Sequence, residues 1–412
     1  MNYLDIKKKI EGLRLRGAEK VNIAEAMYCI YYPITGNKKD LESCLLRIVS
    51  CLITNEINTR IDKGASIGFV FSNSYKNRSD HREAFHTLTE RFSKKAIFEP
   101  SKRRICVANL KYLSEVFSWF IEFKKEFRIE EALYYTSMLL FGVVNADYII
   151  KQIEEKHIKK VVVFSDMHMI DSLIVQKCNA ENITTFTLQH GNFETEVPFV
   201  LSESKYFLAY GEYTKRKAVS FGMAPERIIK TAVLRQVDCF PPTRMKANTP
   251  VHRIGIILSG YDDRNSDICM IRFFMEYCRK NNLELFVKCH PHYGKDKYPE
   301  INWTEIKDVY CEEIDATQFR ERIDLAVVLT STVFVEYVLT LFPALIFVPG
   351  EDVYFQGIDW CKFRNEKEFS CLLKRLEAES EYFEKELLTT RKYFSENDNA
   401  SDAYFHAISD YE

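Results

Sequence analysis

Short strand-like runs that are apolar throughout, separated by helical segments, are the feature that most constrains the fold of this chain. In the first half, such runs cover residues 65–74, 159–166, 184–189 and 204–211, and the segment 169–182 between two of them is typical of a helix. Strands that are apolar on both faces are usually buried on both faces, and connecting helices allow them to pair in parallel. The pattern therefore predicts an α/β fold built on a doubly wound parallel sheet.

The same alternation restarts beyond residues 238–250, a segment with three prolines and no hydrophobic periodicity. The later strand-like runs are residues 252–263, 283–294, 307–313, 324–332 and 343–350. We therefore expect two Rossmann-like domains, residues 1–240 with a helical N-terminal part and residues 251–412 with a helical tail. Residues 1–60, and the stretch from residue 75 to about 158, are predicted to be helical. Two such domains would face each other across a cleft, with ligands at the carboxyl ends of the strands.

Composition argues against several classes of protein. The formal net charge is −2 over 412 residues, which gives no basis for general polyanion binding, so no nucleic-acid partner is expected. The twelve cysteines show no CxxC or other metal-like spacing. The opening residues MNYLDIKKKIEG are not typical of a secretory signal, so the pattern predicts free thiols in a reducing cytosol. We therefore expect a cytoplasmic protein.

The longest apolar stretch, residues 132–150, approaches the length of a membrane span. Asn145 and Asp147 interrupt it, and Glu130 and Glu131 precede it. Polar and ionised groups are costly inside a bilayer. The stretch is therefore predicted to be a helix buried in the protein interior.

Polar side chains follow the predicted strands of the first half at the points where these strands end. They are Ser72 and Asn73, then Asp166 and His168, then Gln189, His190 and Gly191. A carboxylate or an imidazole in this position can act as a general base, and Gly191 allows the chain to turn close to a ligand. Asp166 can equally cap the helix that follows it, and His190 can be a structural histidine at a domain interface.

The strand ends of the second half carry a comparable set. It consists of Ser259 and Gly260, then His290, Pro291 and His292, then Ser331, Thr332 and Glu336. Pro291 favours an extended conformation at His290, so that the imidazole projects from the strand end towards a phosphate. Ser331 and Thr332 can supply donors to a phosphate at a helix start, or they can simply cap the helix. Glu336 can accept a hydrogen bond from a ribose hydroxyl or be a solvated carboxylate.

Motifs of other enzyme classes are missing. No GxGxxG, GxxxxGK[ST] or GxSxG sequence is present, so dinucleotide-binding, P-loop and α/β-hydrolase functions have no support. The His-x-His pair at 290–292 has no Asp, Glu or Cys at partner spacing, so no metal site is expected. Histidines, hydroxyls and a helix start suit electrostatic stabilisation of a leaving phosphate better than covalent catalysis.

Residues 91–128 form a basic segment with ten Lys or Arg against four Glu, interleaved with aromatic residues. Such a segment is usually the solvated face of a helix. It can also hold an anionic acceptor or rest on an acidic membrane surface. The sequence leaves both interpretations open.

The order of four motifs resembles a known group of proteins. The motifs are QHG at 189–191, YGEYTKRKAVSFGMAPERI at 210–228, CHPH at 289–292 and TSTVFVEY at 330–337. QHG, CHPH and TSTVFVEY each follow a strand, and the four come in the same order as in bacterial GT-B-fold transferases of surface polysaccharide assembly. These include capsule and lipooligosaccharide sialyltransferases and the CDP-glycerol glycerophosphotransferases of teichoic acid synthesis. The resemblance covers roughly residues 160–360.

The resemblance implies a division of labour between the domains. The C-terminal domain would bind the donor nucleotide, with the phosphate held by His290, Pro291, Ser331 and Thr332 and approached by the Ser259-Gly260 loop. The N-terminal domain would bind the acceptor near Ser72, Asn73, Gln189 and Gly191, and Asp166, His168 or His190 would be the base. Transfer would be metal-independent with no bound cofactor, since the nucleotide-sugar is a substrate.

Two departures leave the donor open among CMP-sugars, CDP-polyols and UDP-sugars. The acidic-acidic-Gly motif of several sialyltransferases is absent, and the TDYSS form of glycerophosphotransferases is replaced by VLTST at 328–332. The leading expectation is a glycosyltransferase that moves a sugar, with a CMP-sugar favoured as donor, to a surface glycan or its lipid-linked precursor. It would be cytoplasmic, with peripheral contact at the inner membrane through residues 91–128. The alternatives are a CDP-glycerol-type polyol-phosphate transferase and a non-catalytic nucleotide-binding assembly protein.

Overall fold

The computed structural model describes residues 8–11, 13, 15, 22–27, 41–71, 79–189, 191, 199, 202–233, 250–260, 264–290, 293–311, 313–352, 354–397 and 399–411. The predicted site residues outside this part of the chain are Ser72, Asn73, His190, Pro291 and His292. The predicted linker also lies outside it, apart from residue 250.

The first half of the chain builds a seven-stranded sheet with the order β1-β3-β2-β4-β5-β6-β7. Its elements are α1 (Ile23–Ala26), α2 (Leu41–Ile53), β1 (Thr54–Ile61), β2 (Ile67–Val70), α3 (Ser79–Glu90), β3 (Lys95–Ile105), a 3₁₀ helix (Val107–Tyr112), α4 (Leu113–Glu126), α5 (Ile129–Glu155), β4 (Lys160–Val163), α6 (Met169–Ala180), β5 (Thr184–Leu188), β6 (Tyr206–Ala209), α7 (Glu212–Ser220), a short 3₁₀ helix (Pro225–Arg227) and β7 (Ile228–Lys230). All neighbouring strands are parallel except the edge pair β1 and β3.

The second half builds a six-stranded sheet with the order β10-β9-β8-β11-β12-β13, and every pair is parallel. Its elements are β8 (Arg253–Ile257), α8 (Arg264–Asn281), β9 (Glu284–Lys288), 3₁₀ helices at Lys295–Lys297 and Trp303–Glu305, β10 (Asp308–Tyr310), α9 (Ala316–Arg320), β11 (Leu325–Val328), α10 (Val333–Leu339), β12 (Ala344–Phe347), β13 (Lys362–Phe363), α11 (Glu366–Ala378), α12 (Ser380–Phe394) and α13 (Ala400–Asp410). The expected two-domain α/β architecture with parallel sheets is confirmed.

The first sheet is covered on both faces, as its continuous apolar strands predict. Val161 and Val163 pack in one core cluster with α5 and α6. Val162 and Phe164 pack in another cluster with α3 and α13. Successive side chains of a strand point to opposite faces, so each apolar run supplies both cores.

Two strands occur where helix was predicted. β1 and β3 lie in segments that carry alternating or charged residues, and their pairing is antiparallel at the edge of the sheet. In β1, Asn55 and Ile57 are buried whereas the residues that follow each of them are more exposed. An edge strand with one solvated face has a polar-apolar alternation of this kind, and its charges obscured the strand signal.

Each sheet has a point at which the strand order reverses. In the first sheet, the chain passes from β2 to β3 on one side and then crosses to β4 on the other. In the second sheet, β8, β9 and β10 run outward before the chain returns to β11 beside β8. Ligands of open parallel sheets bind in the crevice at such a switch point, beyond the carboxyl ends of the two strands.

Helix α5 is the buried helix that the sequence predicted. Of the helices in the described part of the chain, it alone is long and apolar enough to cross a membrane, yet 72% of its most apolar window is buried inside the protein. Its polar interruptions have protein partners: Asn145 Nδ2 donates to the carbonyl of Phe141, and Asp147 accepts hydrogen bonds from Tyr112 and Lys177. The buried interpretation is therefore confirmed.

Phe394, at the end of α12, packs between the carboxyl ends of the two sheets. Its ring lies 5.0 Å from that of Tyr213, which follows β6, and 6.0 Å and 6.2 Å from those of Phe334 and Phe355, which follow β11 and β12. A Cβ on Gly211 would lie 2.7 Å from the Phe394 backbone, so the segment after β6 and the end of α12 are in direct contact. The strand ends of both domains therefore face a common junction.

After this junction the chain returns to the first domain. Helix α13 packs on the sheet core that contains Phe164, and the Tyr404 hydroxyl donates to the carbonyl of Ala232 at 3.0 Å. Lys160 Nζ donates to the carbonyls of Ile408 and Ser409 at 2.9 and 2.8 Å. The last helix, which we expected in the C-terminal domain, is thus part of the N-terminal one. The boundary at residues 240–251 stays a prediction.

Tyr404→Ala tests this placement. The side chain is fully buried, so its loss should lower the free energy of unfolding by about 3–5 kcal/mol. Urea unfolding followed by circular dichroism measures the change. His406→Ala, on the exposed side of the same helix, should change stability by less than about 0.5 kcal/mol. Similar effects of the two substitutions would contradict the docking of α13.

Candidate functional site

A buried carboxylate shapes the loop after β8. Asp267, in the first turn of α8, accepts hydrogen bonds from the backbone N–H groups of Ser259 (3.0 Å) and Gly260 (3.1 Å). The hydroxyl of the buried Tyr298 donates to the same side chain at 2.7 Å. Sequence reasoning missed Asp267, although an acidic residue in a first helical turn after a Ser-Gly loop is a detectable signal. The Ser259-Gly260 loop therefore has a fixed conformation.

His290 lies directly against Gly260. Gly260 has φ of +100°, a conformation that side chains disfavour, and an added Cβ would lie 3.2 Å from Cγ and 3.5 Å from Nδ1 of the imidazole. The backbone at His290 is held by a hydrogen bond from the N–H of Tyr293 to its carbonyl at 2.9 Å. The loops after β8 and β9 thus meet.

The loop after β11 joins the same site. The N–H of Thr330 donates to the hydroxyl oxygen of Ser259 at 3.4 Å, which links the two strands of the switch point. The hydroxyl of Ser331 accepts from the N–H of Val333 at 3.3 Å, so this residue does support the helix start. Thr332 is the N-cap residue of α10, but its side chain makes no capping hydrogen bond. Its hydroxyl is therefore not committed to the cap.

Glu336 lies one turn further along α10 and is half-buried. Its N–H donates to the carbonyl of Thr332 at 3.4 Å. Burial, together with the nearby carboxylate of Glu336, raises the pKa of Tyr337 well above its ordinary value. That tyrosine is a structural residue whose hydroxyl donates to the carbonyl of Ala316 at 2.7 Å.

A cavity of about 120 Å³ opens beyond the carboxyl ends of β11 and β12. Its lining residues are Ser266, Leu329, Thr330, Ile346, Phe347, Val348, Pro349, Gly350, Glu351, Asp352 and Tyr354. Asp352 is paired with Lys362 at 2.7 Å, whereas Glu351 is exposed at the rim. Sequence reasoning treated residues 343–350 only as a strand and missed this lining. A wider groove of about 610 Å³ follows the outer side of α8 and contains none of the predicted site residues.

In the first domain, Asp166 connects two loops. Its Oδ2 accepts three hydrogen bonds, from the Ser202 hydroxyl at 2.9 Å and from the N–H groups of Glu203 and Ser204 at 3.0 Å each. The side chain is almost fully buried. It does not cap α6, whose N-cap residue is His168. These contacts fix the segment at residues 202–204 against the end of β4. Asp166, which was predicted as a candidate base, therefore has a structural role.

Gln189 has a similar task. Its Oε1 accepts from the N–H of Tyr210 at 2.7 Å, and its Nε2 donates to the carbonyl of Gly191 at 2.7 Å. The side chain is buried. Its carboxamide therefore joins the ends of β5 and β6 and shapes the turn at Gly191.

Two histidines lie at the switch point of the first sheet. His168 follows β4, and burial together with the nearby His81 lowers its pKa from 6.5 to about 4. The ring of His81, in the first turns of α3 beyond β2, lies 5.1 Å from that of Phe164. Sequence reasoning missed His81 because it lies within a helix and not at a strand end. His168 is thus a neutral imidazole at neutral pH.

The described residues contain no group of three or more His, Cys, Asp or Glu side chains placed to hold a metal ion.

Comparison with known proteins identifies the architecture. No family model and no curated protein matches the sequence. MnaA of S. aureus, solved with UDP, is similar at 10% identity with a TM-score of 0.50, over 84% of this chain and 96% of that one. The lipopolysaccharide outer core galactosyltransferase WaaB gives 12% identity and 0.49 over 83% and 98%. The wall teichoic acid polymerase TagF gives 12% and 0.45 over 84% and 89%. The GT-B fold that the resemblance implied is confirmed.

Gly260→Ala tests the contact with His290. The new Cβ adds backbone strain and presses on the imidazole, so the side-chain NMR resonances of His290 should shift. Gly222→Ala is the matched control, because Gly222 has φ of +95° and open space within 4 Å. Both variants should lose about 1–2 kcal/mol of stability. Unperturbed His290 resonances in Gly260→Ala would contradict the contact.

His168 should make stability fall in mild acid. The pKa of the His168 imidazole is 6.5 in the unfolded chain and about 4 in the folded protein, so the unfolded chain is protonated first as the pH falls. The unfolded state binds more protons in this window, so the free energy of unfolding should decrease by about 2 kcal/mol between about pH 7 and about pH 5. Urea unfolding at both pH values should show a smaller decrease for His168→Asn. His406→Asn, an exposed control, should keep the wild-type decrease.

Proposed function

We propose that this protein is a GT-B transferase that moves a sugar from a nucleotide-activated donor to a hydroxyl acceptor. The observation that carries the proposal is the meeting of the loops after β8, β9 and β11 at the switch point of the second sheet. Their contacts fix His290 against Gly260 and join Ser259 to Thr330. The cavity beyond β11 and β12 adjoins them and shares Thr330.

This arrangement suits a donor in which the sugar is activated by a nucleoside monophosphate or a nucleoside diphosphate. The cavity would take the nucleoside, with the exposed Glu351 at its rim as an acceptor for ribose hydroxyls. His290, the uncommitted hydroxyl of Thr332 and the Ser331 hydroxyl would face the phosphate. Donors that are held in place before the reaction stabilise the charge that develops on a leaving phosphate.

The proposed base is His168. It would accept the proton of the acceptor hydroxyl while that oxygen attacks the anomeric carbon of the sugar. The bond from this carbon to the phosphate oxygen breaks, and its electron pair leaves with the phosphate near His290. A neutral imidazole can take this proton, whereas Asp166 Oδ2 already accepts three hydrogen bonds. Burial and the neighbouring His81 lower the pKa of His168 to about 4, so its imidazole is unprotonated and can accept a proton.

The finer assignment rests on the sequence. The motif resemblance favours a CMP-sugar donor and a bacterial surface glycan, such as a capsule or lipooligosaccharide chain, as acceptor. The similarity to MnaA, solved with UDP, supports a pyrimidine nucleotide on this fold. Polyol-phosphate transfer from a CDP-glycerol donor is the alternative on the same site. Metal independence and the lack of a bound cofactor are part of the proposal.

A nucleotide panel tests the donor class. We expect CMP to raise the melting temperature most among CMP, CDP, UDP and GDP, because a ligand at about 100 times its Kd adds about 2.7 kcal/mol of stability. A larger shift with CDP would favour polyol-phosphate transfer. If none of the four nucleotides raises the melting temperature, the proposal is wrong.

Substitutions then separate phosphate binding by His290 from proton acceptance by His168. The thermal shift measures nucleotide affinity, and donor turnover measures kcat. His290→Ala should weaken nucleotide binding and lower kcat by about 100-fold or more. His168→Gln should lower kcat by a comparable factor and leave nucleotide affinity unchanged, since it acts on the acceptor. Turnover should persist in EDTA. Nucleotide binding with no donor turnover in the wild type would identify a non-catalytic assembly protein.

A further inference from the structure

The exposed large apolar side chains of this protein are concentrated in one region. Within the described residues, all of them lie between residues 41 and 129 except Val219, Leu388 and Tyr411. Scattered single residues of this type are normal on a protein surface, but a contiguous group marks an interaction site. The group lies on α2, the 3₁₀ helix Val107–Tyr112 and α4.

Helix α2 is apolar on both sides. Cys44, Cys51 and Leu52 are buried. The opposite stripe is exposed and repeats every four residues: Leu41, Leu45, Val49 and Ile53, with Leu46 beside it at 62% exposure. A surface helix of a water-soluble protein normally has charged or polar residues on the side away from the core.

Helix α4 repeats the pattern. Val116, Trp119 and Phe123 are buried, whereas Leu113, Phe117 and Ile121 form an exposed stripe with the same spacing of four. Phe117 is 68% exposed. Two neighbouring helices thus present apolar residues to solvent at regular helical positions.

Hydrogen bonds fix the segment between the two helices. The N–H of Cys106 donates to the carbonyl of Ile53 at 2.7 Å, and Asn109 Nδ2 donates to the carbonyls of Cys51 and Thr54 at 2.9 Å each. The 3₁₀ helix that follows exposes Val107 and Leu110, and Ile105 before it is 86% exposed. Because this 3₁₀ helix contacts both α2 and α4, the exposed stripes adjoin and form one surface. We call it the α2–α4 surface.

Positive charge accompanies this surface. Residues 102–125 contain six Lys or Arg against two Glu, while the whole chain has a formal net charge of −2. Lys102, Lys111 and Lys124 are exposed. The basic segment found in the sequence therefore does not form the face of a single helix. It runs from the end of β3, beside the exposed Ile105 and Val107, to the end of α4.

We propose that the α2–α4 surface binds an anionic membrane, with its apolar stripes in the headgroup region and its lysines on anionic lipid. Apolar burial and attraction to acidic headgroups together bind such surfaces to bilayers. A second copy of the chain fits less well, because a two-fold contact places a patch against the same patch and would oppose the two basic segments. The inference rests on exposure and charge, and it stands whether or not the proposed transfer reaction is found.

Sedimentation of the full chain with lipid vesicles tests the proposal. Binding to phosphatidylcholine vesicles should increase at least roughly tenfold when about 30% phosphatidylglycerol is included, and it should fall with added salt. Leu45→Gln with Phe117→Gln should weaken binding by roughly tenfold or more. Lys111→Glu with Lys124→Glu should do the same for the anionic vesicles only.

Matched controls lie elsewhere on the surface. Val219→Gln with Leu388→Gln replaces two exposed apolar residues that lie outside the α2–α4 surface. Lys367→Glu with Lys374→Glu reverses two charges on α11. Both double variants should bind as the wild type does. No vesicle binding by the wild type, equal losses in test and control variants, or a dimer in light scattering that only the test variants dissociate would each overturn the proposal.

Discussion

The packing of Phe394 between the two sheets brings their carboxyl ends to one junction. Its ring contacts Tyr213 beyond β6 of the first sheet and Phe334 and Phe355 beyond β11 and β12 of the second. An aromatic ring shared by two cores fixes the carboxyl ends of both sheets towards one junction.

The two sides of the junction use their buried polar groups differently. On the second sheet, Asp267 is fully buried, and its hydrogen bonds hold the Ser259-Gly260 loop against which His290 packs. On the first sheet, Asp166 and Gln189 accept hydrogen bonds from the backbone N–H groups of Ser204 and Tyr210. His168, which follows β4 on the same sheet, is a neutral imidazole. In both cases a buried acceptor fixes backbone N–H groups, since an unpaired buried amide would cost free energy.

The sequence predicted what is local and missed what depends on distant partners. Apolar runs located the central strands, whereas the strand order became visible only in the structure. The edge strand β1 and its neighbour β3 escaped prediction because their polar and charged residues resemble those of a solvated helix. Nothing near Asp166 in the sequence shows that residues 202–204 will donate three hydrogen bonds to it. His81 was missed for the same reason, since only the fold brings α3 beside β4.

Helix α5 explains why apolar composition alone could not distinguish a membrane span from a membrane-facing layer. Its own apolar faces are covered by α2, α4 and α6, so the helix with the strongest span signal is interior. The helices that cover it have shorter and weaker signals, yet they carry the exposed stripes that include Val49 and Phe117. Each covering helix needs only one apolar face to bury α5, and a second regular stripe adds nothing to that packing. Under the membrane contact proposed above, the second stripes of α2 and α4 and the basic segment beside them would lie against the bilayer.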